Sequence, residues 1–220
     1  MSRALFLFAL STLALPSTVR ADIQKDGPEE FPGKNEISLH LGGQAGFNGY
    51  TVNGFEAGGP PSGGHFIFEY GRLISKQRTM SVWLDMGVSS TFAGGPGVVC
   101  YHGGCDYGSS GIEVSPFFGV KLKWRTPIPL VPYAKFNAQM TGIFDRFCGD
   151  NGFGLLAHAA GGLEYFLTRS IGVGLETGVS FGPAFYDGTS GNGGCPDYIY
   201  VRHTELYLAG EFVAGVEFIF

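Results

Sequence analysis

From residue 36 to the last residue, apolar side chains recur at every second position. That period belongs to a strand with one apolar face and one mixed face, not to a helix. The clearest segment is TELYLAGEFVAGVEFIF, residues 204–220. Leu206, Leu208, Gly210, Phe212, Ala214, Val216, Phe218 and Phe220 share one face, and Glu205, Tyr207, Glu211, Gly215 and Glu217 share the other. Seven further segments alternate in the same way: 36–47, 65–74, 80–92, 111–125, 131–144, 153–168 and 171–182. Their apolar phases carry residues such as Leu39, Phe68, Leu84, Phe118, Phe136, Leu155 and Leu175. The opposite phases carry His40, Glu69, Asp85, Lys121, Lys135, His158 and Glu176.

Eight segments of this length match tilted crossings of a bilayer, which take about 9–11 residues each. In lipid, only a closed sheet pairs every backbone donor and acceptor. The expected fold is therefore all-β: an eight-stranded antiparallel up-and-down transmembrane β-barrel over residues 36–220. Three connections are short (Ser75–Thr79, Thr126–Leu130 and Thr168–Ser170). Four are long and Gly-rich, at about 48–64, 93–110, 145–152 and 186–203, and the two kinds alternate. Phe47, Phe92, Phe144 and Phe185 fall near one expected rim, and Trp124, Tyr165 and Phe220 near the other.

Composition fits this picture. Glycine makes up 37 of 220 residues, more than double the usual share of about 7%, and only 15% of residues are charged against a usual 25% or so. Inside a narrow barrel, glycine leaves room for large neighbours and lets strands coil. Residues 1–21 read as a secretory signal peptide, with Arg3, an apolar run from Ala4 to Leu15 and a small-residue site ending at Ala21. Residues 22–35 have no period and read as a flexible lead-in. Without the signal, 12 cations stand against 19 carboxylates, a net charge of −7 that argues against nucleic acid. No later apolar run reaches the 18 residues of a membrane helix.

The chain resembles the small eight-stranded bacterial outer-membrane barrels, the class of the OmpA membrane domain, OmpX and OmpW. The resemblance rests on the architecture of residues 36–220 and on the aromatic last strand ending in Phe220. It implies an outer-membrane location, short turns and both termini on the periplasmic side, lipid as surroundings, and recognition of that last strand by the barrel-assembly machinery. No subfamily signature is present.

All four cysteines lie in the long connections: Cys100 and Cys105 in the second, Cys148 in the third and Cys195 in the fourth. An exported chain matures where disulfides form. Three pairings exist, of which Cys100–Cys105 with Cys148–Cys195 is favoured. The second bridge closes about 46 residues and contributes at most about 4 kcal/mol. Cys100, His102 and Cys105 have no second pair at zinc-site spacing, so no metal or other cofactor is expected.

The inward polar set, His40, Glu69, Asp85, Lys121, Lys135, His158, Glu164, Glu176 and Glu211, joined by Glu113, Lys123 and Glu217, is expected to fill the lumen. Eight strands leave an interior just wide enough for side chains, with Lys135 and Glu164 as the expected centre of the network. His65, His203 and Glu205, with Ser62, Ser109 and Ser110, are the residues a lipid-modifying enzyme would use. The first strand separates His65 from His203, so no catalytic residue is assigned and both histidines are expected at the rim. The expected function is that of a monomeric, non-enzymatic surface protein whose outer connections bind an extracellular ligand, adhere, or maintain the envelope. The alternatives are an outer-leaflet lipid-modifying enzyme, and a narrow channel or lateral passage for small hydrophobic molecules.

Overall fold

The computed structural model describes residues 33–47, 50–52, 55–57, 62–92, 98–101, 104–107, 111–145, 151–190 and 199–220. Residues 1–21, expected to be a signal peptide, most of the expected lead-in, Cys148, Cys195, Ser109 and Ser110 lie outside the described residues. Twelve strands follow in chain order: β1 (Asn35–Gly46), β2 (Tyr50–Val52), β3 (Phe55–Ala57), β4 (Gly63–Lys76), β5 (Met80–Phe92), β6 (Val98–Tyr101), β7 (Gly104–Tyr107), β8 (Gly111–Trp124), β9 (Leu130–Asp145), β10 (Asn151–Phe166), β11 (Ile171–Ser190) and β12 (Ile199–Ile219).

Eight of these close into one barrel in the order β1-β12-β11-β10-β9-β8-β5-β4, every neighbouring pair antiparallel. β1 pairs with both β4 and β12, so the first and last strands form the closing seam. The short strands make two separate hairpins, β2–β3 and β6–β7, within the first two long connections. Period-two alternation gives no sign of either, because neither has a membrane to face.

The alternation sorts the side chains as their polarity demands. On the outside, Leu41, Phe118, Phe136, Met140 and Phe212 are each more than half exposed. Inside, Glu36, Glu69, Asp85 and Lys123 are fully buried. An apolar outer belt over a charged interior inverts the arrangement of a water-soluble sheet protein, and suits a barrel with lipid around it.

Two expectations about length need correction. The fourth connection is shorter than 186–203, because β11 and β12 stay paired as far as Ser190 and Ile199. β4 and β10 likewise begin two residues earlier than the alternation suggested.

The wall itself is interrupted at two places. Between β8 and β9 the pairing stops after Val114–Gly142 and resumes at Phe117–Gln139 in the same register. Between β10 and β11 it stops after Gly154–Ala184 and resumes at Ala157–Phe181. Pro116 and Pro183 stand in these gaps, and proline has no N–H to give to a ladder.

Candidate functional site

The lumen is the site that the strands build. Toward the end with the short turns, three lysines stand among carboxylates. Lys121 Nζ lies 2.8 Å from Glu36 Oε1 and also pairs with Glu69. Lys123 Nζ reaches Glu36 and Glu217 at 2.6 Å each and Glu164 at 3.0 Å. Lys135 Nζ reaches Glu69 at 2.6 Å and Glu176 at 2.9 Å. Glu69 and Glu36 each hold two lysines, so the three clusters join into one. The Tyr133 hydroxyl donates to Glu176 at 2.6 Å. Lys123 lies 5.2 Å from the centre of the Trp83 ring, whose indole N–H donates to Ser81.

Higher in the barrel, Glu211 holds two imidazoles, with His65 Nε2 at 3.1 Å and His158 Nε2 at 3.0 Å. His65 Nδ1 is 2.8 Å from Thr91 Oγ1. Beside this group, Glu113 accepts from Tyr207 at 2.7 Å, and from Gln44 and Ser115 at 3.1 Å each. Apolar side chains complete the filling, with Ile67, Phe117 and Val213 packed as one cluster. Glycines make space: a Cβ on Gly71 would come within 2.6 Å of Glu36 Oε1, and one on Gly178 within 2.6 Å of His158 Nε2.

All twelve lumen residues named from the sequence are buried inside the barrel, and Lys135 and Glu164 belong to one linked network without touching each other. Lys135 is level with Ala160, whereas Glu164 is level with Val131. Four residues at about 3.3 Å each separate the two side chains along the wall, and Glu164 instead meets Lys123. Asp85 accepts only a long contact from Asn137, at 3.4 Å. The ring nitrogens of His40 have no hydrogen-bond partner among the described residues.

Glu36, Trp83, Tyr133, Gln44 and Tyr207 belong to the network without having been singled out. Their strand phase placed them inside, but phase carries no information about which side chains meet. His65 also differs from expectation: it is buried in the lumen, not at the rim. β1 does separate the strands of His65 and His203. Ser62 accepts from the Gly46 N–H at 2.9 Å. Among the described residues, no three His, Cys, Asp or Glu side chains converge in a way that would hold a metal ion.

A second feature opens on the outer wall. A cleft of about 460 Å³ is lined by Pro116, Phe117, Phe118, Ala138, Gln139, Met140, Leu155 and Leu156. It lies against the β8–β9 interruption. Phe117, Gln139 and Leu156 belong to the inward phase, so the cleft reaches into the wall.

No protein-family model matches the sequence, and no curated protein matches it. Solved structures do. Neisserial surface protein A superposes with a TM-score of 0.54 at 11% identity, over 84% of this chain and 97% of that one. The fold is that of a small outer-membrane β-barrel. OprG from Pseudomonas aeruginosa (TM-score 0.48, 10% identity, 86% of this chain and 98% of that one) is also similar, as is Ail, the attachment invasion locus protein of Yersinia pestis (0.44, 10%, 84% and 97%). At such identities the likeness concerns the barrel alone. It leaves the subfamily open.

Proposed function

We propose that this barrel is a monomeric, non-enzymatic surface protein of the bacterial outer membrane, whose long outer connections bind a partner, adhere or maintain the envelope. The observation that carries this reading is the filled lumen. Three buried lysines tied to five carboxylates occupy the short-turn half, and charges so placed depend on their partners. A barrel closed by its own side chains has its connections left to work with, and loops on a rigid scaffold commonly carry function. In this reading residues 1–21 are removed on export, both termini lie in the periplasm, lipid surrounds the wall, and the assembly machinery recognises the strand ending in Phe220. The outer connections are pinned by disulfides, with Cys148 joined to Cys195. For Cys100 and Cys105 the support is direct pairing in the β6–β7 hairpin. Opposed antiparallel residues have Cα atoms about 4.5–5.5 Å apart, within disulfide range.

The test compares cells carrying the full chain with cells in which residues 93–110 are replaced by a two-residue turn. Adherence to protein-coated surfaces and resistance to detergent are the readouts. The shortened chain should insert normally and behave like a deletion in at least one assay. Full activity in both assays without the connection would count against the proposal. Lipid A whose acyl pattern depends on His65 or His203 would move the protein to the lipid-modifying enzymes.

The cleft supports a second reading, lateral passage of small hydrophobic molecules. With the short-turn half of the lumen filled, a molecule entering from the other end could leave only sideways, and the cleft at Pro116 is the apolar opening available. Uptake of an alkane into cells should then fall on Pro116→Val, which restores the missing N–H. Unchanged uptake would remove this reading.

A further inference from the structure

The charges of this chain are sorted between the two ends of the barrel. At the short-turn end, the described residues include Lys34, Arg72, Lys76, Arg78, Arg125 and Arg169. No carboxylate side chain occurs in residues 71–80, 124–130 or 166–171. Among the described residues, the side-chain carboxylates nearest this end, Glu36, Glu164 and Glu217, are buried in the lumen with Lys123, and four more, Asp22, Asp26, Glu29 and Glu30, precede β1 in the sequence. In the sequence of the four long connections and adjoining strand ends (47–62, 93–110, 145–151 and 186–205) the balance reverses. Seven carboxylates there outnumber two cations, Arg146 and Arg202. Solubility at the membrane face gives no reason for this sorting, since either sign would serve.

The cations also come with apolar companions. Ile74, Trp124, Ile128 and Phe220 are exposed at the same end, between 38% and 59%. Arg72 is exposed in the outward phase of β4, two residues from Ile74. An apolar body beside an arginine on a lipid-facing wall lets the guanidinium rise to the headgroup level while its stem stays in the acyl region. Guanidinium groups suit phosphate oxygens, which they can bind in a bidentate manner.

We propose that the short-turn rim is a basic collar that binds the phosphodiester headgroups of anionic phospholipids in the leaflet surrounding it. This rests on the reading of the chain as a bilayer-spanning barrel. The collar favours the orientation in which the short turns meet a phospholipid leaflet. The opposite end, carrying an excess of carboxylates, is repelled by anionic headgroups. Attraction of this kind acts within about a Debye length and weakens with salt.

The test uses the mature full-length chain refolded into phosphatidylcholine vesicles containing a trace of spin-labelled phosphatidylglycerol or spin-labelled phosphatidylcholine. Electron spin resonance reads the fraction of each lipid immobilised at the barrel wall. At low salt, phosphatidylglycerol should be held roughly fivefold more strongly, and the preference should fall toward parity at about 1 M NaCl. The triple variant K76Q/R78Q/R169Q lies outside the lumen network and should lose about half of the preference. R146Q/R202Q should retain all of it. Parity in the unaltered chain overturns the collar, as does a preference lost only with Arg146 and Arg202. A preference that emerges only when Asp22, Asp26, Glu29 and Glu30 are neutralised also overturns it, since the chain's own lead-in would then occupy the rim. Heat-dependent gel mobility in the same vesicles separates the two levels. A chain inserted without preference refutes the collar alone, and a chain that inserts in neither lipid refutes the membrane reading beneath it.

Discussion

Lys123 shows what a single inward residue does here. Its ammonium lies within 3.0 Å of three carboxylates, those of Glu36, Glu164 and Glu217. Removing it leaves buried negative charge facing negative charge. Lys123→Met should destabilise the barrel by about 3–5 kcal/mol, read as a lower urea midpoint for unfolding from lipid. Adding Glu217→Gln should restore part of that loss, because one orphaned charge disappears with it; strictly additive losses would mean the two residues do not interact. Gly162 gives a steric counterpart. A Cβ there would press on the Tyr133 hydroxyl, 2.5 Å away, which donates to Glu176. Gly162→Ala should cost about 1–3 kcal/mol by the same assay. The location of these residues was legible in the chain, since the alternation puts Lys121, Lys123, Lys135 and Glu164 in the inward phase. Their partners were not. A two-residue period says which way a side chain points, whereas pairing also requires the register between strands, and nothing local in the sequence encodes that four-residue offset between Lys135 and Glu164.

At the level of elements, the strands that cross lipid were legible and those that leave it were not. β1, β5 and β9 follow their alternation closely because nearly every outward position is apolar, Ser90 of β5 being an exception. Beyond Phe185 the chain reads YDGTS, with no apolar period, yet β11 stays paired with β12 to Ser190. Backbone pairing alone needs no alternation once both faces meet water. The prolines work in the opposite direction, since Pro116 continues the outward phase of β8 while breaking its ladder. Ser115 Oγ and Thr141 Oγ1, 2.8 Å apart, bridge the lumen side of that gap. Hydrogen exchange should therefore be faster at Met140, whose N–H faces Pro116 across the gap, than at Ala138 and Phe136, whose N–H groups face β8 at the paired positions Phe118 and Val120. Pro116→Val should slow it by supplying an N–H to β9. Uniform protection across this stretch would mean that the seam is closed in solution.

At the scale of the whole molecule two conditions are joined: an apolar exterior and, among the described residues, an interior carrying eight carboxylates and three lysines. Neither could hold without closure, because β1 must pair with β12 before the interior is shut from lipid. Closure also fixes the lumen's width, and at eight strands the interior is filled by side chains rather than water. The linked Lys–Glu clusters span that interior through β1, β4, β8, β9, β10, β11 and β12, so none of these seven strands can shift alone to open it. An ion entering from the long-connection end would first meet Tyr207 packed with Ile143, Leu156 and Ala184, then Glu211 held by His65 and His158, then the Ile67, Phe117 and Val213 cluster, and then the lysines. The fully folded barrel should accordingly show no stable open steps in a planar bilayer at either polarity. K121A/K135A should give no steps either, because Lys123, Tyr133 and Trp83 still occupy the cross-section. Regular steps from the unaltered chain would show that the network parts under voltage, and the function would then have to be sought inside the barrel instead of on its outer connections.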